Sequence, residues 1–263
     1  MTSMDNIRSH LATLKLSRMD KALDETLAEA TQKNLPTEAV LERLLEIEAV
    51  SLIERRMERR IRESKLPERK LLADFDFAFQ TGIDKRQVMD LATLAFVERN
   101  QWLILAGSSG AGKSHIAKAL LLIACQHQYR CRYVTASFML RDLWSGLADD
   151  SLEDKLKAYV RPQILLIDEI GFDRLEQEST RNASLFFKVI EGRYGKNSTI
   201  LTTNIDFTAM GKYLGDPVVT AAIVDRMVHH AVIISIDGPS WRMHESKRLN
   251  RTSRKKKAAG KSV

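Results

Sequence analysis

The sequence predicts an α/β protein: a parallel five-stranded sheet flanked by helices, preceded by an all-helical N-terminal region. Three observations predict it. Gly107-Ser108-Ser109-Gly110-Ala111-Gly112-Lys113-Ser114 has the glycine, lysine and hydroxyl spacing of a phosphate-binding loop, set between a short apolar run and a helical pattern. Five short apolar runs, at 102–106, 131–135, 164–168, 199–203 and 232–236, alternate with helical stretches, as strands covered on both faces do. Ahead of them, Leu16, Met19, Leu23 and Leu27 recur at helical spacing.

Residues 1–66 read as the N-terminal helical domain. Pro36-Thr37 opens its second helix, which is expected to carry Leu41, Leu44, Leu45 and Leu52 inward. From Glu54 to Lys70 there are eight basic residues against four acidic ones, with Arg55, Arg59 and Arg62 on one face and Arg56 beside Arg60. That stretch is either a track for a DNA backbone or a solvated face on which Glu54, Glu58 and Glu63 pair with the arginines. Pro67 is expected to end the helix. Residues 67–98 then form a connecting segment, with Asp74-Phe75-Asp76-Phe77 near its start, and a helical pattern follows over 85–99.

Residues 99–246 make up the nucleotide domain. In its loop the glycines let backbone N–H groups converge on an anion, and the N-terminus of the following helix adds roughly half a positive charge at the same place. Lys113 is expected to reach the β- and γ-phosphates of ATP and the Ser114 hydroxyl to coordinate Mg²⁺, with His115 counted among the cofactor-binding residues. The run Ile164-Leu165-Leu166-Ile167-Asp168-Glu169 is an apolar strand that ends in two carboxylates. Asp168 is expected to hold the metal and Glu169 to orient or deprotonate an attacking water.

Thr202-Thr203-Asn204 ends the next strand, so its polar side chains should reach the same edge. Asn204 there is either a sensor of water and γ-phosphate or the start of a turn before Asp206. Asp225-Arg226 falls on a helix predicted over 221–230. Arg226 reads as an arginine finger for a neighbouring subunit, with an Asp225–Arg226 ion pair as the plainer alternative. His229 and His230 are adjacent, share no helix face and read as structural, and Trp144 reads as packing. Arg242, beside Trp241, is a candidate phosphate contact.

Composition narrows the class. Hydrophobic residues make up 44% of 263, enough for a real core. Two cysteines, Cys125 and Cys131, make neither a disulfide framework nor a four-ligand zinc site, and read as buried thiols in a reducing cytoplasm. No apolar run approaches the roughly 20 residues of a membrane span, and the polar N-terminus gives no export signal. Of the net charge of +7, the segment from Lys247 onward contributes eight basic residues and no acid. Such a tail, 247–263, is expected to be disordered and to grip nucleic acid through residues such as Lys255, Lys256 and Lys257, or else simply to solubilise.

The ordered set Lys65-Leu66-Pro67, Asp74-Phe75-Asp76-Phe77, Gly107 to Ser114, Ile164 to Glu169, Thr202-Thr203-Asn204 and Asp225-Arg226 resembles the IstB-like AAA+ ATPases encoded by insertion sequences. The resemblance covers almost the whole chain, and its nucleotide motifs are shared in part with DnaC-type helicase loaders. It implies a cytoplasmic bacterial helper of transposition that hydrolyses ATP, binds and remodels duplex DNA as an ATP-dependent homo-oligomer, and stimulates a partner transposase. Lys113, Ser114, Asp168, Glu169, Asn204 and Arg226 carry over by position to the Walker A, Walker B, sensor 1 and arginine-finger roles. Only 27 residues follow Ile236, too few for a full helical lid, so a second-sensor role for Arg242 is not expected. The alternatives are a loader that remodels a replicative helicase and, further off, a small-molecule kinase or a nucleotide-dependent scaffold.

Overall fold

The computed structural model describes residues 2–171 and 180–247 and divides the chain into two compact units, between Arg59 and Arg60. The first unit holds α1 (Ser3–Thr13), α2 (Ser17–Lys33) and most of α3 (Thr37–Glu63). Leu11, Leu23 and Leu44 form its small core, joined by Leu16, Met19 and Leu27 from the predicted stripe. Of the four leucines expected inward on α3, only Leu44 is buried. Leu41, Leu45 and Leu52 are exposed, and α3 instead turns Leu44, Glu48 and Ser51 inward. Glu48 explains part of that choice. The N-cap residue of α2, Leu16, has no side-chain cap, and Glu48 Oε2 accepts the Arg18 and Met19 N–H groups at 2.7 and 3.0 Å while Oε1 pairs with Arg55 at 2.7 Å.

The second unit is built on a five-stranded parallel sheet of order β2-β3-β4-β1-β5. Its strands are β1 (Trp102–Gly107), β2 (Cys131–Thr135), β3 (Ile164–Ile170), β4 (Ser198–Thr203) and β5 (Ala231–Ile236), within one or two residues of the predicted runs. The segment before the sheet carries α4 (Lys85–Ala92) and α5 (Ala95–Glu98). The single helical pattern over 85–99 is therefore two helices, because Leu94 takes a left-handed backbone (φ 62°) that buries it together with Phe96 and Val97.

Helix α6 (Lys113–Gln126) follows the loop, and α7 (Ala136–Ala148), α8 (Leu152–Val160), α9 (Thr180–Arg193), α10 (Met210–Leu214) and α11 (Pro217–His229) complete the cover. Residues 241–247 are also helical. Strands β3 and β4 are buried almost end to end; β3 is apolar from Ile164 to Ile167, while β4 buries Ser198, Thr199, Thr202 and Thr203 around Ile200 and Leu201. Tyr159, Leu165, Ile167, Phe186 and Leu201 belong to one large core. At the β2 edge, the Tyr133 N–H donates to Ser64 O at 2.7 Å, so the segment after α3 covers part of that edge. Both cysteines are free and buried. Among the described residues no helix is long and apolar enough to cross a membrane.

Candidate functional site

The phosphate loop leaves β1 at the carboxyl edge of the sheet, where parallel α/β proteins bind ligands. Glycine is required there on two counts. Gly107 (φ 141°) runs so close to β5 that a Cβ would lie 2.3 Å from Ile236 O, and at Gly112 (φ 98°) a Cβ would lie 2.5 Å from the Phe75 ring. Lys113 is folded onto the loop, Nζ donating to Gly107 O and Ser108 O at 2.8 Å each. Burial lowers its pKa and the Arg242 charge adds to that, while the Asp168 carboxylate acts in the opposite sense.

Asp168 is fully buried and is where the site converges. Its Oδ1 accepts from Ser114 Oγ at 2.7 Å and from Thr202 Oγ1 at 2.5 Å. Its Oδ2 accepts from Tyr133 OH at 3.2 Å and lies 3.8 Å from Lys118 Nζ. Burial, then the charge of Asp168, pushes the Tyr133 phenol upward, so it stays a donor. Glu169 breaks the register of β3 with β4 and takes a left-handed backbone (φ 65°), its N–H donating to Thr202 Oγ1 at 2.9 Å. The kink leaves the Glu169 side chain exposed on the wall of the cleft while Asp168 stays inside.

That cleft, about 500 Å³, lies over the loop. Its other wall carries Phe75, Phe79, Trp241 and Arg242. Gln80 fastens this wall to the loop, its Nε2 donating to Ala111 O at 2.9 Å, and Trp241 N–H donates to Gly110 O at 3.0 Å. His115 also faces the cleft, its Nε2 2.8 Å from Leu71 O and its ring edge-on to Phe75. The structure thus brings together Ser109 to His115, Asp168 and Glu169, and adds Thr202, Tyr133, Lys118 and Gln80, none of which the sequence singled out as a site residue. Of these, Thr202 alone had a signal in the sequence, as part of the Thr202-Thr203-Asn204 strand end expected at the same edge.

Ser114 and Asp168 fit a magnesium ion: a hydroxyl and a carboxylate, both hard oxygen donors, meet beside the loop. Among the described residues no cluster of three or more His, Cys, Asp or Glu makes a closed metal cage, so phosphate and water oxygens would have to complete the shell.

Other candidates stand apart. Asn204 is exposed just beyond β4, its Oδ1 against Gly171. Arg226 is on α11 and does not line the cleft. It donates through Nε to Glu191 on α9 and through Nη1 to Ala222 O at 3.1 Å, and lies 4.9 Å from the Phe187 ring centroid. An intramolecular ion pair does exist, with Glu191 rather than Asp225, because Asp225 is the chain neighbour and points elsewhere to solvent. On α3, Arg55 is tied to Glu48 and Arg60 to Glu63 at 3.3 Å, while Arg56, Arg59 and Arg62 are exposed. Lys255, Lys256 and Lys257 lie outside the described residues. His229 accepts or donates at Nδ1 with Tyr194 OH at 2.6 Å, and Trp144 Nε1 donates to Asn182 at 2.7 Å.

The model of the family described as IstB-like ATP binding protein matches residues 9–249. The chain belongs to this family. Relatives within it include a protein from Pseudomonas aeruginosa named as an ATP-binding protein of insertion sequence IS21, 36% identical over 93% of this chain and 91% of its own. Another, from Geobacillus stearothermophilus and named for insertion sequence IS5376, is 34% identical over 95% of this chain and 98% of its own. The IstB-like fold also has solved counterparts. A crystal structure of DnaI aligns with a TM-score of 0.52 at 22% identity, over 65% of this chain and 90% of that one. A DNA replication initiation factor aligns at 0.51 and 18%, over 65% and 50%. These likenesses establish the fold alone, a five-stranded parallel α/β sheet with helices on both faces.

Proposed function

We propose that this IstB-like chain is a Mg²⁺-dependent ATPase of the bacterial cytoplasm that assembles on duplex DNA as an ATP-dependent homo-oligomer, remodels it and stimulates a partner transposase. The observation that carries the ATPase part is the 2.7 Å contact between Ser114 and Asp168 beneath the loop, with the Glu169 carboxylate next in the chain and facing the same cleft. In this reading the backbone of Gly107 to Gly112 cradles the phosphates, and Lys113 leaves its loop carbonyls for the β- and γ-phosphates. Ser114 and Asp168 hold Mg²⁺, which when bound offsets phosphate charge. Glu169 orients or deprotonates the attacking water, and Asn204 hydrogen-bonds water and γ-phosphate.

Arg226 acts on the site of a neighbouring subunit, releasing Glu191 to do so. That exchange makes turnover depend on assembly, and fingers of this kind contribute roughly 10³ to 10⁵ in rate. The DNA and transposase parts rest on the relatives, which are proteins of insertion sequences, and on the basic residues Arg55, Arg56, Arg59, Arg60, Arg62 and the tail lysines.

The test is the solution mass of the Glu169→Gln protein with ATP and Mg²⁺, with and without duplex DNA. A large assembly that forms only with nucleotide and duplex together is expected. A species indifferent to duplex would sink the DNA-assembly reading and direct the next experiment to binding of a replicative helicase.

A further inference from the structure

The carboxylate expected to hold the metal already has a cation. Lys118 follows Ser114 by four residues on α6, so the two side chains share a helix face, one turn apart. Ser114 Oγ takes Asp168 Oδ1, and Lys118 Nζ stands 3.8 Å from Oδ2. The Lys118 side chain is only 16% exposed and Asp168 1%, so water screens this pair only in part. The Tyr133 ring, 5.5 Å from Nζ, and its hydroxyl on Oδ2 hold the lysine and the carboxylate from the β2 side. Lys118 also lines the cleft over the loop.

We infer that Lys118 is a positioning residue that serves as the resident counter-ion of Asp168, standing against Oδ2 of the carboxylate so that a divalent cation binds in competition with it. The inference rests on the loop being a nucleotide and metal site. Two consequences have opposite sign. With metal absent, Lys118 offsets a buried negative charge that would otherwise repel the phosphates, so nucleotide binds without metal. With metal present, the ammonium repels the incoming cation and weakens its hold.

The experiment uses the full chain, with Mn²⁺ as the probe cation counted by the electron paramagnetic resonance of its free ion in the presence of ADP. ADP affinity is read separately in EDTA by fluorescence of a labelled ADP. Lys118→Met is expected to bind Mn²⁺ roughly tenfold more tightly, the scale of one unit charge a few ångströms away in a partly screened site. Its metal-free ADP affinity should fall by a similar factor, roughly tenfold. Lys118→Arg keeps the charge and should resemble the parent in both readouts, which guards against a Met variant that merely folds poorly. Loss of both affinities in Lys118→Met, or no change in either, would overturn the counter-ion role. A parent protein that binds neither ADP nor Mn²⁺ would overturn the nucleotide-site reading itself, and this inference with it.

Discussion

Glu169 sits in a left-handed backbone that costs a residue with a side chain about 1 kcal/mol or more, and the Thr202 hydroxyl, by accepting its N–H, holds it there. At this kink the two successive carboxylates differ in surroundings, Asp168 buried and Glu169 open to the cleft. Replacing Glu169 with Gln keeps the size and the kink and removes the base. ATP binding should be unchanged while turnover falls by roughly 10² or more, measured as phosphate release under saturating ATP. Turnover equal to the parent would remove Glu169 from the mechanism. Asp168 and Glu169 were legible in the sequence because they end an apolar strand a fixed distance after a glycine-rich loop. Thr202 was legible only as part of a strand end expected at the same edge, and Tyr133 and Lys118 were not legible at all, because each meets Asp168 only through strand pairing or helix docking, and a lone Tyr or Lys carries no local signature.

At the scale of elements, two buried charged groups hold helix ends. Glu48 on α3 caps α2, and its backbone hydrogen bonds, together with Arg55, keep its carboxyl below the ordinary glutamate value. A depressed carboxylate contributes stability in full above the unfolded value and loses it as pH falls through the folded one. Acidification below the ordinary glutamate range should therefore loosen the N-terminal unit. Glu48→Ala should remove about 2 kcal/mol at neutral pH and make the remaining stability less sensitive to acid, as followed by urea titration at several pH values. An unchanged acid response in Glu48→Ala would assign it to other carboxylates.

Arg193, fully buried on α9, donates to Tyr159 O, Val160 O and Pro162 O at 2.8 to 3.0 Å and to Ser198 O, thereby closing the C-terminal end of α8 against β4. Burial pushes its pKa down to about 9, yet these carbonyls keep the guanidinium solvated by protein. Arg193→Met should cost about 3 kcal/mol by stranding those acceptors, visible as a lowered midpoint of denaturation. A loss under 1 kcal/mol would show that water replaces the guanidinium.

The same scale shows where periodicity stops informing. The strands were readable to within a residue or two because each is a short run of β-branched and apolar residues bounded by polar or helical stretches. Helix α3 was misread because helical spacing gives the leucine stripes without saying which one faces the core. Leu41, Leu45 and Leu52 form one stripe, but the helix buries the neighbouring one, where Glu48 reaches the uncapped end of α2.

For the whole molecule, charge placement is the feature with the widest reach. The segment from Lys247 onward supplies eight of the basic residues and leaves the rest of the chain at −1. Ending the chain after Asn250 should flatten the salt dependence of duplex binding by roughly 0.9 log units per lost phosphate contact. Affinity measured at several salt concentrations reads this directly, and an identical slope would make the tail a solubilising extension.

The sequence by itself determined the sheet class, the strands, the loop and the pair of carboxylates. Each is signalled by residues close in the chain, whose spacing sets dihedral freedom, apolar pattern and charge before any tertiary contact forms. Only the tertiary structure decided the partners: Thr202, Tyr133 and Lys118 around Asp168, Gln80 and Trp241 against the loop, Glu191 on Arg226, and Glu48 at the head of α2. Those pairs join residues far apart in sequence, and which of them meet is set by strand order and helix docking, where buried polar groups settle on whatever donor or acceptor the packing brings within reach.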